Sequence, residues 1–140
     1  KRILVNQCTD NYYFGGRQVG KTTKCIDKFI KHYPNVILVS YYVMGTVDLI
    51  LQKSKWPEKE KFQISKKVIS DNNLKSRLQG MNRDEKTYMI YDECWLGSKN
   101  QYPISDICKT FDFITSSDSK FIKKYFKYKK IEILNEIEKL

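Results

Sequence analysis

The sequence is short of several residue types on which whole classes of protein depend. It has a single histidine and no C-x-x-C pair among its 4 cysteines, a composition that argues against a zinc site. No apolar run is long enough to cross a membrane, and the first residues lack the pattern of a signal peptide. Free thiols are typical of a reducing compartment, so we expect an intracellular protein.

Acidic residues are also scarce relative to basic ones. The 140 residues carry 16 Asp and Glu against 26 Lys and Arg, a formal net charge of +10. That balance suits a phosphate-rich partner such as nucleic acid, although a lysine-rich bias is equally typical of a basic protein without one. Length and a hydrophobic content of 41% predict one globular domain over residues 1–140. The chain begins at Lys1 and not at a methionine, so we expect it to be a piece of a longer protein.

Glycine is scarce too, yet residues 15–23 fit the phosphate-binding pattern G-x-x-x-x-G-K-[ST]. Glycine lets the backbone approach a ligand closely, and the amides of such a loop form an anion-binding concavity. Lys21 would reach the β and γ phosphates, and the Thr22 hydroxyl would hold magnesium. The alternative is a glycine-rich turn before a surface helix. The predicted binding residues are Gly15, Gly16, Arg17, Gln18, Val19, Gly20, Lys21, Thr22 and Thr23.

The segments around this loop predict a β-α-β unit. Residues 12–14 can form a short strand that enters the loop, residues 22–32 have the apolar spacing of a helix, and residues 36–39 are an apolar run typical of a buried strand. A unit of this kind requires parallel strands. We therefore predict a three-layer α/β domain, with a mostly parallel sheet of about five strands and helices on both faces.

The rest of the chain supplies further predicted elements. Residues 62–78 favour a hairpin, with a helix over 72–79 as the competing interpretation. The remaining predictions are an edge strand over 1–5, loops over 6–11 and 54–61, strands over 87–91 and 111–115, and helices over 45–53, 104–110 and from 119 onward.

The strand over residues 87–91 ends in an acidic pair. Asp92 would bind magnesium through its water shell, and Glu93 would orient and deprotonate an attacking water. Ligands of open α/β sheets bind at the carboxyl ends of strands, where this pair stands. The alternative is an ordinary strand end. No Asn-Lys-x-Asp follows the strands, so nothing supports guanine selectivity and we expect ATP.

Two other groups of residues are functional candidates. Thr115, Ser116 and Ser117 end the last predicted strand, where hydroxyls can sense a γ-phosphate; a Ser/Thr-rich turn is the alternative. Lys120, Lys123, Lys124 and Lys127 share one face of the final predicted helix. Such a row can follow a phosphate backbone, but a solvated face is the commoner meaning of a lysine run.

The stretches GRQVGKTT, TYMIYDE and FITSSDSKFIKKYF resemble the ATPase domain of viral large terminase subunits, the P-loop motors that pump DNA into capsids. The resemblance implies ATP and Mg²⁺ as cofactors, with Lys21 and Glu93 as catalytic residues and Arg17 as an arginine finger within the same chain. Residues 77–80 resemble the family's R-x-x-G stretch, and residues 115–117 its coupling motif. It also implies double-stranded DNA, a homo-oligomeric ring and a capsid portal as partners, in the host cytoplasm.

Two other interpretations remain open from the sequence. The stretch RQVGKTT with a later Thr-Ser-Ser strand is also similar to bacterial and archaeal AAA-type ATPases, in which that strand carries a sensor. A helical lid domain after the last strand would favour that family. A nucleotide-binding switch without turnover is the third possibility, and the presence of Glu93 argues against it.

Overall fold

The computed structural model describes residues 6–81, 84–96 and 101–139. The strands are β1 (Gln7–Cys8), β2 (Tyr12–Phe14), β3 (Val36–Ser40), β4 (Val68–Ser70), β5 (Tyr88–Tyr91) and β6 (Phe113–Ser116). The helices are α1 (Lys21–His32), α2 (Val43–Ser54), α3 (Lys61–Ser65), α4 (Leu74–Gln79), α5 (Ile104–Thr110) and α6 (Ser119–Glu138). A 3₁₀ turn, Glu58–Glu60, precedes α3.

The six strands form one sheet in the order β1-β2-β6-β5-β3-β4. Every neighbouring pair is parallel except β1 with β2, which is antiparallel. The predicted mostly parallel α/β sheet is therefore confirmed, with six strands instead of about five. Because β2 to β6 run in one direction, the residues that follow these five strands lie along the same edge of the sheet.

The helices cover both faces of the sheet. Side chains of β3 alternate between the faces: Val36 and Leu38 pack with α1, α2 and α3, whereas Ile37 and Val39 pack with α4, α5 and α6. This period of two is what a strand requires, and burial on both faces explains why β3 is a continuous apolar run. The result is a helix–sheet–helix arrangement with a core on each side.

One predicted hairpin is wrong. Residues 62–78 do not pair with themselves, because β4 pairs parallel with β3 and the chain then continues into α4. Asn73 adopts a left-handed backbone conformation (φ 53°) at the start of α4, and Leu74 and Leu78 then share a helix face and are buried. The competing prediction of a helix over residues 72–79 agrees with this part of the fold.

Smaller differences concern the loops. The predicted loop over 6–11 contains β1, which is exposed and owes its strand conformation to pairing with β2. The predicted loop over 54–61 contains the 3₁₀ turn and the start of α3. The predicted edge strand over 1–5 lies outside the described residues.

Helix α6 packs on the sheet through only its first half. Phe121, Ile122 and Tyr125 are buried, whereas Ile131 and Leu134 are about half exposed. None of the helices in the described part of the chain has both the length and the apolar character needed to cross a membrane.

Candidate functional site

The glycine loop connects β2 to α1 and is shaped by two of its glycines. Gly20 has a φ of 91°, which side-chain-bearing residues rarely adopt, and it starts α1. At Gly15 a side chain would overlap the Asn6 side chain. The Tyr13 hydroxyl donates to the Val19 carbonyl and ties the loop to β2. Since no side chain caps α1, its first amides remain available to an anion.

Lys21 is the first residue of α1 and is only 3% exposed. Its ammonium donates to the Gly16 carbonyl and lies 3.5 Å from Glu93 Oε2. A buried ammonium needs such partners, because desolvation penalises an unpaired charge. The positive charge is therefore held inside the curve of the loop, beside the acidic pair.

Asp92 follows β5 and joins three separate elements. Its Oδ2 accepts a hydrogen bond from Thr22 Oγ1 at 2.9 Å, and its Oδ1 accepts from Thr115 Oγ1 at 2.6 Å. The Cys25 thiol also donates to Oδ1, at 3.5 Å. Burial, and secondarily the nearby Asp92 charge, raise the pKa of Cys25 well above its ordinary value, so this thiol stays protonated and acts as a donor.

Glu93 sits in a turn with a left-handed backbone (φ 55°). A non-glycine residue in this region costs about 1 kcal/mol, so the surrounding bonds must hold it there. Its amide donates to Thr115 Oγ1 at 2.8 Å, and the Cys94 amide donates to the Thr115 carbonyl at 2.7 Å. The carboxylate Oε1 accepts from the Ser117 amide at 3.2 Å and from its hydroxyl at 3.1 Å.

The three hydroxyl residues at the end of β6 therefore have different roles. Thr115 contacts both acidic residues, and Ser117 contacts only Glu93. Ser116 is structural: its hydroxyl donates to the Cys94 carbonyl at 2.8 Å and accepts from the Asp118 amide at 3.1 Å. Since β6 lies between β2 and β5, it bridges the glycine loop and the acidic strand.

Thr22 and Asp92 are the predicted magnesium ligands, and the structure brings them together: Thr22 Oγ1 donates to Asp92 Oδ2 at 2.9 Å. Both are oxygen donors, the ligand type that Mg²⁺ prefers. Within residues 6–81, 84–96 and 101–139, no group of three or more His, Cys, Asp or Glu could hold a metal. An ion here would take its other ligands from phosphate and water, as Mg²⁺ commonly does.

A cavity of about 770 Å³ opens at this site, and its lining includes Arg17, Thr22, Asp92, Glu93 and Ser117. Arg17 is exposed, so its guanidinium is accessible from the cavity. Gln18 also lines the cavity and has a left-handed backbone (φ 59°).

The turn from β3 into α2 also lines this cavity, which sequence reasoning missed. Tyr41 and Tyr42 are exposed there, and buried Ser40 and Thr46 share a 2.9 Å hydrogen bond that fixes the turn. The position of this turn after a parallel strand was the available signal, because ligands bind at that edge. The contact of Cys25 with Asp92 could have been predicted, because Cys25 is three residues after Thr22 and so lies on the same face of the helix.

The lysine row does not belong to this cavity. Lys120, Lys123 and Lys127 are exposed on α6, and Lys124 places its ammonium 5.7 Å from the centre of the Trp95 ring. Thr23 is also exposed, beside the first turn of α1. The sequence matches no protein-family model, and comparisons with curated proteins and with solved structures find no significant similarity.

Proposed function

We propose that this chain is a magnesium-dependent ATPase with a P-loop fold, used as the motor domain of a machine that moves double-stranded DNA. The observation that carries the proposal is the convergence of Lys21 and Thr22 with Asp92 and Glu93. All four lie within 3.5 Å of a partner from the other pair, although about 70 residues separate the two pairs in sequence. A glycine-rich turn alone would have no reason to meet an acidic strand end.

The roles follow from the contacts. The loop amides and Lys21 bind the phosphates, and Thr22 with Asp92 would hold Mg²⁺. Arg17 reaches the same cavity and offsets charge on the transferred phosphoryl group. The bound metal supplies further neutralisation of that charge.

Hydrolysis then needs one proton transfer. Glu93 accepts a proton from water, the water oxygen bonds to the γ-phosphorus, and the bond to the ADP oxygen breaks. Glu93 is suited to this task because its carboxylate is only 16% exposed and is held at a defined position. ATP is preferred over GTP in this proposal, since the sequence has no Asn-Lys-x-Asp.

Steady-state hydrolysis with Mg²⁺ and ATP tests the proposal. We expect the Glu93→Gln variant to lose about 10²–10³-fold in kcat, because the amide cannot accept the proton. Glu85→Gln, an exposed glutamate in the turn before β5, is the matched control and should equal wild type. Full activity of Glu93→Gln would show that Glu93 is not the general base. An inactive wild type would favour a nucleotide-binding switch.

The proposed DNA partner rests on the exposed lysines of α6 and the net charge of +10. The test is a triple variant, Lys120→Ala, Lys123→Ala and Lys127→Ala. The slope of the logarithm of the duplex-binding constant against the logarithm of salt concentration should become about 2–3 units shallower, since each lost phosphate contact contributes roughly 0.9. A triple alanine variant at Lys59, Lys75 and Lys86, exposed lysines away from α6, is the control. Equal salt dependence in both variants would place DNA elsewhere. Assembly as a ring on a capsid portal is part of the same proposal and rests on the resemblance alone.

A further inference from the structure

Glu93 has two carboxylate oxygens, and the structure gives them different neighbours. Oε1 accepts two hydrogen bonds from Ser117, one from the amide and one from the hydroxyl. Oε2 faces Lys21, whose ammonium lies 3.5 Å away. The two oxygens are therefore not equivalent: one is fastened to the end of β6, and the other is directed toward the glycine loop.

This asymmetry matters for a general base. A carboxylate that activates water must offer an oxygen within hydrogen-bond reach of that water, and the side chain must not rotate away. The Ser117 bonds occupy Oε1 and fix the plane of the carboxylate. Oε2 is then the oxygen left to face a terminal phosphate bound at Lys21.

We propose that Ser117 is the positioning residue for Glu93: it holds Oε1 so that Oε2 points at the reacting phosphate, and a bound triphosphate draws Lys21 away from Oε2 to free it for water. This inference rests on the proposed ATPase function. It separates Ser117 from its neighbours, because Thr115 supports the backbone turn and Asp92, whereas Ser116 supports Cys94 and Asp118.

The exchange of partners by Lys21 follows from charge. In the structure the ammonium is shared between the Gly16 carbonyl and Glu93. A triphosphate brings several negative charges to the same loop and is a stronger partner for an ammonium than a single carboxylate. The base is thus released by the substrate that needs it, and without substrate it remains paired.

The test compares Ser117→Ala and Ser117→Thr with Ser119→Ala in the same chain. Ser119 is exposed two residues further on and makes no side-chain hydrogen bond in the described structure, so it is a matched control. Three quantities are measured for each protein: kcat and KM for ATP hydrolysis, affinity for a non-hydrolysable ATP analogue by calorimetry, and the melting temperature.

We expect Ser117→Ala to lower kcat about tenfold. KM and the analogue affinity should stay within about twofold of wild type, and the melting temperature within about 2 °C. The remaining amide bond to Oε1 explains why the loss is not larger. Ser117→Thr keeps the hydroxyl and should return kcat to within about threefold of wild type. Ser119→Ala should match wild type throughout.

Three outcomes overturn the inference in distinguishable ways. If wild type hydrolyses ATP and Ser117→Ala has an unchanged kcat, Ser117 does not position the base, and the ATPase proposal stands. If Ser117→Ala loses analogue affinity or melting temperature in proportion to kcat, and threonine does not rescue it, the residue is merely structural. If wild type binds the analogue but never hydrolyses ATP, the proposed function itself fails, and this inference fails with it.

Discussion

Two aspartates follow parallel strands at the same edge of the sheet, and only one of them has a complete set of partners. Asp92 follows β5 and is 6% exposed, and Asp71 follows β4 and is 4% exposed. Both oxygens of Asp92 accept hydrogen bonds, from two hydroxyls and a thiol. Oδ2 of Asp71 is buried and has no hydrogen-bond partner among the residues that the structure describes.

The difference shows that two similarly buried carboxylates at this edge can have quite different hydrogen-bond partners. Burial raises the pKa of Asp71 above its ordinary value, and a backbone hydrogen bond at Asp71 offsets only part of the desolvation cost of its ionised form. At Asp92, by contrast, donors from α1 and β6 contact both carboxylate oxygens. A pocket of about 330 Å³ beside Asp71 includes the Lys75 side chain in its lining but gives Oδ2 no donor.

The largest expected effect comes from exchanging each aspartate for asparagine. Asp92→Asn should lower ATP hydrolysis by at least about 10²-fold, because it removes the charge that would hold Mg²⁺ beside Thr22. Asp71→Asn should leave kcat within about twofold. Steady-state assays over a range of Mg²⁺ concentrations measure the hydrolysis rates of both variants. Similar losses of kcat in the two variants would show that Asp92 and Asp71 do not differ in importance for hydrolysis.

A smaller effect is expected from Thr115→Val. This variant removes a hydrogen-bond partner of Asp92 and leaves the carboxylate itself in place. Valine has nearly the same shape but leaves Asp92 Oδ1 and the partly buried Glu93 amide without the hydroxyl. We expect about a tenfold loss of kcat and a loss of ~1–3 kcal/mol in unfolding free energy. Thr87→Val, which removes a 3.3 Å bond to Asp84 before β5, should change neither quantity much. If both variants behave alike, the Thr115 hydroxyl has no special importance.

The smallest effect concerns stability and pH. A folded pKa above the unfolded value of 3.8 means that the folded chain binds the Asp71 proton more tightly. Stability from this group is therefore full below pH 3.8 and falls as pH rises through the folded pKa. Asp71→Asn should remove that loss and raise the melting temperature at pH 7.

The gain should be smaller at pH 4 than at pH 7, because more of the wild-type Asp71 is protonated at the lower pH. Thermal melts at the two pH values measure it. A gain that is equal at both pH values would point to packing and not to charge, and a loss at pH 7 would mean that Asp71 has a partner when ionised.

Much of this fold follows from local patterns in the sequence. The β-α-β unit around the glycine loop is predictable because the glycines, the helical spacing after Lys21 and the apolar run of β3 are each encoded within a few residues. The turn into α4 could not be predicted in this way. Leu74 and Leu78 fit either a strand or a helix, and only their long-range partners decide between the two. The pairing of β1 is also decided by β2 and not by its own polar residues.

The candidate site shows the same limit. The residue types at Lys21, Asp92 and Glu93 are readable from motifs, but their partners are not. The roles of Thr115 and Ser117 depend on β6 lying between β2 and β5, which is a property of strand order. A pattern of hydroxyls at a strand end cannot say which one contacts Asp92 and which contacts Glu93.

The direct passage from β6 into α6 has a mechanical consequence. Asp118 caps α6 through a 2.8 Å bond to the Phe121 amide, one residue after the serine that contacts Glu93. Phe121, Ile122 and Tyr125 hold the first half of this 20-residue helix against the sheet. The strand end beside Glu93 and the exposed lysines of that half therefore belong to one packed unit, and only the second half, about 15 Å long, projects beyond it.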